Sequence, residues 1–301
     1  MRSLCPRLAS QFGQVYGERP SQMQFKTFIT KAILSILLIL PIGCATQRVR
    51  PDIDDELLDK PGIDLSRIQT LSFQKVKETI CTERLSFTTL KAKADILITT
   101  PEINGEFRCK GVVRFQKSGK IRVIGSKLAR TAFDMLSDGE NYWFYLPKEK
   151  VVYTGKCDTS KKRDTSAYIF PDDIAALLEH DKLFEGRISY METWPSFWLV
   201  HLLDRKGDAV APYSRLSVDR IDNTVTKLTM FNPDSSIRAQ ASFHDYAEIN
   251  GQSIPKAIQI HWPDTDTTLT LNLNNIIINE PLKPKIFLFK KPKKAEIVEI
   301  N

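Results

Sequence analysis

Residues 94–125, ADILITTPEINGEFRCKGVVRFQKSGKIRVIG, decide the fold class. Ala94, Ile96 and Ile98 alternate with other residues, so they share one face of a strand whose start extends back to Thr88. In GEFRCKGVVRFQ the same period puts Phe107, Cys109, Val113 and Phe115 on one face. A Ser118-Gly119 turn follows, then the strand KIRVIG. A period of two with turns between the runs predicts consecutive antiparallel strands.

Outward from there the pattern persists. AFDMLSDGENYWFYLPKEKVVYTG (132–155) contains two more turns, a hairpin at Asp138-Gly139 and a looser one at Pro147 to Lys150. Later turns fall at Asp222-Asn223, Asn232-Pro233-Asp234, Asn250-Gly251 and Pro263-Asp264. They separate the strands RLSVDRI, TVTKLTMF, IRAQASFHDYAEI, KAIQIHW and TLTLNLNNIII, the last with Leu269, Leu271 and Leu273 on one side. Two segments read as helices. RIQTLSFQKVKETIC (67–81) spaces Phe73, Val76 and Ile80 for one face. FPDDIAALLEHDKLF (170–184) has Pro171 at the first helical position and Asp172 and Asp173 at the positive end of the dipole. Its stripe is Ile174, Leu177 and Leu178. A polar stretch, KCDTSKKRDTSAYI, separates this helix from the strands before it. Strands joined by short turns describe an antiparallel meander, not a βαβ series. Two helices are few for some ten strands, so the sheet either curls into a barrel or keeps a partly open apolar hollow.

Residues 94–125 and 133–155, with KLTMFNPDSSIRAQASFHDYAEINGQSIPKAIQIHWP (227–263) and IFLFKKPKKAEIVEI (286–300), resemble the outer-membrane lipoprotein-sorting proteins, the LolA/LolB-like superfamily. The resemblance covers roughly residues 67–300 and lies in strands and turns, not in a catalytic motif. It implies an α+β, mostly β domain: a curved antiparallel sheet or incomplete barrel, with a few helices lidding an apolar concave face. It also implies a cavity that accepts acyl chains of lipids or lipoproteins. The expected lining is Phe107, Val113, Phe115, Ile121, Val123, Phe144, Leu269, Leu271 and Leu273. Receptors of the superfamily carry an apolar residue on an exposed loop between early strands; the matching GSKLART makes Leu128, between Lys127 and Arg130, the candidate for membrane contact.

The N-terminal region supports an envelope setting. From Ala32 to Gly43 there are 12 residues, nearly all apolar, behind Lys26 and Lys31 and ahead of Cys44. As a helix they would reach roughly 18 Å at ~1.5 Å per residue, short of the ~30 Å hydrocarbon core. Such a run is the layout of a secretory signal. Ile42-Gly43-Cys44 resembles the lipobox of bacterial lipoproteins, in which the cysteine is acylated and becomes the new N-terminus. Pro41 stands where the lipobox usually has Leu, and an uncleaved anchor or an ordinary cleaved signal are the other readings. Ala45, rather than Asp, is compatible with outer-membrane placement. The expected organisation is a signal peptide over 1–43, starting at Met23, a lipidated tether over 44–66 with Pro51 and Pro61, and one domain over 67–301. Receptors that carry an anchor, unlike the soluble carriers, match Cys44 best.

The chain carries a formal net charge of +7, but five Lys/Arg and one acid fall within residues 1–43, leaving 38 basic and 35 acidic residues. That near-balance removes the main argument for a nucleic-acid partner. The remaining positive cluster is the six lysines between Lys283 and Lys294, read either as a solvated edge or as a contact for anionic headgroups or an acidic partner. Cys81, Cys109 and Cys157 allow one disulfide and a free thiol, with the pairing open; Cys109 reads as a small buried hydrophobe.

Catalytic signatures are missing from the sequence. His180, His201, His244 and His261 form no HExxH, and there is no GxSxG turn or metal-ligand spacing. His244 and Asp245 are neighbours on a strand, so their side chains should point to opposite faces, and His261 should face water. Tyr142, Trp143, Phe144 and Tyr145 put rings on both faces of one strand. The expectation is a non-enzymatic, cofactor-free, metal-free binder of acyl chains, anchored to a membrane through Cys44 and served by envelope transport proteins. The alternative is an envelope-anchored assembly module whose hollow its own side chains fill.

Overall fold

The computed structural model describes residues 65–83, 86–101, 105–157 and 169–300. The signal segment, Cys44 and nearly all of the tether lie outside the described residues. Fourteen strands form one sheet. The first meander is β1 (Thr89–Thr99), β2 (Glu106–Gln116), β3 (Lys120–Lys127), β4 (Arg130–Asp138), β5 (Asn141–Leu146) and β6 (Val151–Lys156). The second is β7 (Ile188–Thr193), β8 (Phe197–Lys206), β9 (Ala209–Asp219), β10 (Val225–Phe231), β11 (Ile237–Ile249), β12 (Gln252–Trp262) and β13 (Thr267–Ile278). The short β14 (Glu296–Glu299) ends the chain. The spatial order is β14-β6-β5-β4-β3-β2-β1-β13-β12-β11-β10-β9-β8-β7, so β13 returns to β1 and joins the two meanders, and the sheet stays open at β14 and β7. Only the β14–β6 pair is parallel among the described strands.

Among the described residues three short α-helices lie on the inner face: α1 (Phe73–Glu78), α2 (Pro171–Ala176) and α3 (His180–Leu183). The expected helix over 67–81 is shorter at its start. Ser72 caps it by accepting from the Lys75 N–H, and its last turn widens into a π-helical Thr79–Glu83. Val76 and Ile80 are buried as the spacing required. The segment 170–184 is two helices, broken at residues 177–179.

The turns are where their residues place them. Asp138 Oδ1 accepts from the Glu140 and Asn141 N–H groups at 3.0 and 2.8 Å, closing the β4–β5 hairpin. Asn250 and Gly251 both have positive φ, 51° and 74°, as a two-residue hairpin loop demands. The sheet curves, and the register shifts where an extra residue is accommodated in β4 (Ala132), β9 (Tyr213), β11 (Arg238) and β13 (between Asn274 and Ile277), bulges of the kind that bend strands. Gly111 faces Gly125 across β2 and β3. A Cβ on Gly125 would sit 2.4 Å from the Phe133 ring, and one on Gly111 would sit 2.5 Å from Ile96 Cδ1. The missing side chains are the space those two groups fill.

Three strands, β7 to β9 in its first half, fall where the sequence reading named none. FWLVHLL is apolar on both faces, and such a run has no readable period. His244 and Asp245 also differ from expectation: Asp245 adopts φ 53° without shifting the β11–β12 register, and both residues are exposed. His261 is half-buried, its Nδ1 3.1 Å from Thr268 Oγ1 on the adjacent strand.

The outer face of β3–β5 is covered by the closing segment. A 3-10 turn at Pro284–Phe287 packs on β3 and β4, and Phe289 stacks on Trp143 at 5.0 Å with the rings 6° from parallel. Of the two outward rings of the aromatic run, Trp143 and Tyr145, the first is therefore matched by another ring.

Candidate functional site

The nine residues expected to line a cavity all lie on the inner face. Each is at most 5% exposed: Phe107, Val113, Phe115, Ile121, Val123, Phe144, Leu269, Leu271 and Leu273. They belong to one continuous apolar cluster that also holds Ile174, Leu177, Leu178 and Leu183 from α2, α3 and the break between them, and Val76 and Ile80 from α1 and its π-turn. Phe115 meets Phe87 edge-on at 5.6 Å, and Phe144 meets Phe133 at 6.3 Å. In this closed state the helices' own side chains occupy the hollow.

What positions the helices over that apolar cluster is polar, and no sequence pattern pointed to it. Asp173 is fully buried on α2. Its carboxylate accepts from Arg238 on β11 and, at 2.9 Å, from Trp262 Nε1 on β12. Asp172 stands 3.8 Å from the same guanidinium. Glu179, 2% exposed, accepts from the Gly119 N–H at 2.5 Å and from Lys182. Lys117 Nζ donates to Asp181 at 2.6 Å. The lid is thus tied to the β2–β3 turn at one side and to β11 and β12 at the other, strands well separated in the sheet order. The pair Asp172-Asp173 was legible only as complementing a helix dipole, because its partners are 65 and 89 residues distant in sequence. A small cavity of about 150 Å³ lies among Asp172, Glu179, Lys182 and Arg238.

His180 opens α3 and is buried with its ring edge-on to Phe243 at 5.7 Å. Burial pushes its pKa down to about 4; the Leu177 backbone and the Asp181 carboxylate offset part of that. The imidazole is therefore kept neutral at ordinary pH.

A larger cavity of about 730 Å³ opens at the end of β1–β3. Its lining includes the apolar Ile96, Leu97 and Leu128 and the basic Arg108, Lys110 and Lys127. This volume is in the range of small-molecule sites. Leu128 and Ala129 form the two-residue loop between the paired Lys127 and Arg130, with φ of 51° and 60°. Leu128 is 90% exposed. A β-hairpin loop that needs two left-handed residues normally uses Asn or Gly, and each non-glycine here costs roughly 1 kcal/mol. Strain of that kind collects at functional positions.

Cys81 and Cys109 are free thiols, and Cys157 Sγ lies 3.4 Å from Ser137 Oγ. Burial pushes Cys81 up to about 11 and Cys109 to about 12, so neither is a nucleophile near neutral pH. Among the described residues no three His, Cys, Asp or Glu side chains group as metal ligands.

No protein-family model and no curated protein matches the chain. Solved structures do match. A LolA superfamily protein from Nitrosomonas europaea superposes with TM-score 0.51 and 14% identity, covering 73% of this chain and 99% of that one. An outer membrane lipoprotein-sorting protein domain from Vibrio parahaemolyticus gives TM-score 0.50 and 9% identity, covering 71% of this chain and 94% of that one. The chain has a LolA/LolB-like fold.

Two outcomes follow from the lid. Asp173→Ala leaves Arg238 buried without its main partner and should cost about 3–5 kcal/mol. Hydrogen exchange should quicken over residues 169–184 before the rest of the sheet; uniform quickening would mean that the lid has no separate opening. For His180 the unfolded state binds a proton near pH 6.5 and the folded state only near 4. Its contribution is therefore complete above pH 6.5 and falls by on the order of 3 kcal/mol as pH drops to 4. Denaturant titrations of wild type and His180→Leu should diverge in slope across that window and run parallel above it.

Proposed function

We propose that this protein binds acyl chains of lipids or lipoproteins on the inner face of its sheet. In this reading it is a membrane-anchored receptor or carrier in lipoprotein or lipid trafficking to the bacterial outer membrane, held by lipid on Cys44. The observation that carries the proposal is the inner face itself. It is a continuous apolar surface spanning both meanders, covered by helices of six and four residues that polar contacts hold in place. Each methylene moved from water to that surface gains about 0.8 kcal/mol, so a chain needs no polar recognition to bind once the lid lifts. Transfer then follows relative affinity: the acyl chain enters as the helices part and leaves to a tighter or more abundant acceptor. The LolA/LolB-like fold supports a binding role rather than a catalytic one.

The rim cavity and the Leu128 hairpin fit the same reading. A side chain 90% exposed on a strained turn, flanked by Lys127 and Arg130, suits contact with a membrane during handover. Substituting Leu128→Gly relieves the strained φ and should raise Tm by a few degrees, since about 1 kcal/mol is gained. The same variant should lose delivery of bound acyl chain to acceptor vesicles. A fall in Tm, or unchanged delivery, would remove the hairpin from the mechanism.

One observation favours the second reading, an envelope-anchored assembly module with no lipid ligand: the hollow is filled in the closed state. Native mass spectrometry of the full chain, purified gently from a bacterial envelope, separates the two. A stoichiometric lipid adduct, reduced in Leu271→Trp by the volume that ring occupies, is expected. A clean apo mass, with no uptake of added fluorescent fatty acid, leaves the assembly module.

A further inference from the structure

The closing segment, residues 279–300, reaches the inner apolar cluster only near its end, through Val298 and Ile300, and takes no part in the rim cavity. It is fixed at several points on the outer face. Arg122 Nη1 donates to the Ile286 carbonyl at 2.8 Å while its other nitrogens hold Asp134 at 3.0 and 2.7 Å. Phe287 is buried, Phe289 stacks on Trp143, and β14 locks the far end against β6. Leu288 is extended, with φ −94° and ψ 119°. Phe287 and Phe289 turn to the sheet, so the alternation of an extended chain turns Leu288 and Lys290 away from it. Leu288 is 59% exposed, one of the most exposed large apolar side chains described.

Around it the charge has one sign. From Lys283 to Lys294 there are six lysines and neither an acid nor an arginine. All six are exposed, and none of their ammonium groups has an ion-pair partner among the described residues. A ridge of free positive charge with one apolar side chain standing out of it is anchored rigidly to the domain.

We propose that this ridge binds the surface of an anionic phospholipid membrane, with headgroup phosphates against the lysines and Leu288 entering the interface. The choice of lysine supports a membrane over an acidic protein. Protein interfaces favour arginine, whose planar fork grips carboxylates in pairs, and are depleted in lysine. A flexible, hydrated point charge suits a fluid plane of phosphates. A nucleic acid would need free ring faces for its bases, and here Phe289 and Trp143 cover each other.

The test is vesicle flotation of the full chain carrying Cys44→Ser, so that no lipid on that cysteine contributes. Vesicles of phosphatidylcholine alone are compared with an equal mixture of phosphatidylcholine and phosphatidylglycerol. Binding selective for the anionic vesicles and reversed by salt is expected. It should weaken by at least about tenfold when Lys290, Lys291, Lys293 and Lys294 are changed to Gln. Leu288→Ser should weaken it too, while leaving any binding to polyglutamate unchanged. The proposal is overturned by equal binding to both vesicles or by indifference to the four lysines. It is also overturned if polyglutamate is held as tightly as the vesicles and Leu288→Ser has no effect, which assigns the ridge to an acidic protein. Leu128→Gly, run in parallel, keeps the two surfaces apart. Anionic selectivity that survives it belongs to the ridge; selectivity lost there and kept in the lysine variant moves the contact to the hairpin and overturns the proposal.

Discussion

The inner face of the sheet must be kept from water, and everything else in the molecule answers to that. Among the described residues the inner face of fourteen strands is lidded by three α-helices of only six residues or fewer. Helices this short have little stability of their own, since the nucleation cost is spread over too few hydrogen bonds. They stay helical because they are docked. Apolar packing supplies most of the attraction, and the buried carboxylates of Asp173 and Glu179 supply the position. An ion pair in such a place adds little net stability but is costly to break on one side only. That asymmetry makes withdrawal of a single partner, Asp173 or Arg238 alone, the costly arrangement.

Curvature is the other half of the solution. A flat sheet of this width would leave its face open. Bulges bend it, and the facing glycines 111 and 125 leave the room that the Phe133 ring and Ile96 take up. The outer face of one meander is then sealed by the chain's own end, through the Trp143–Phe289 stack and the Arg122 contacts. The open edges receive different treatment. The four-residue β14 shields β6, a short strand of the sort that limits edge pairing. β7 remains an edge with Ile188 and Tyr190 outward, the latter stacked on His201 at 4.5 Å.

The strands around Ser118-Gly119, Asp138-Gly139 and Asn250-Gly251 were legible because alternation and turn chemistry are local properties. The same alternation placed Phe107, Phe115 and Leu271 on the core face. Where a strand is apolar on both sides, as in FWLVHLL, the period vanishes and so does the reading. The helix over 170–184 was readable from Pro171 and its apolar stripe, but not its break, which depends on what Glu179 and His180 meet when docked. Leu128 stood out only through resemblance; its left-handed φ and near-complete exposure are properties of the hairpin.

By itself the sequence determined most of the meander, the inward face of the strands that alternate, the start of the second helix at Pro171 and the leader-like apolar run ending at Cys44. These follow from short-range rules of sterics, hydrogen bonding and side-chain period. Only the tertiary structure decided that β13 closes back on β1, that Asp173 meets Arg238 and Trp262, and that the lysines of the closing segment stand together on a fixed ridge. Those relations join residues tens of positions apart, and nothing in the local pattern encodes a partner that only folding brings within reach.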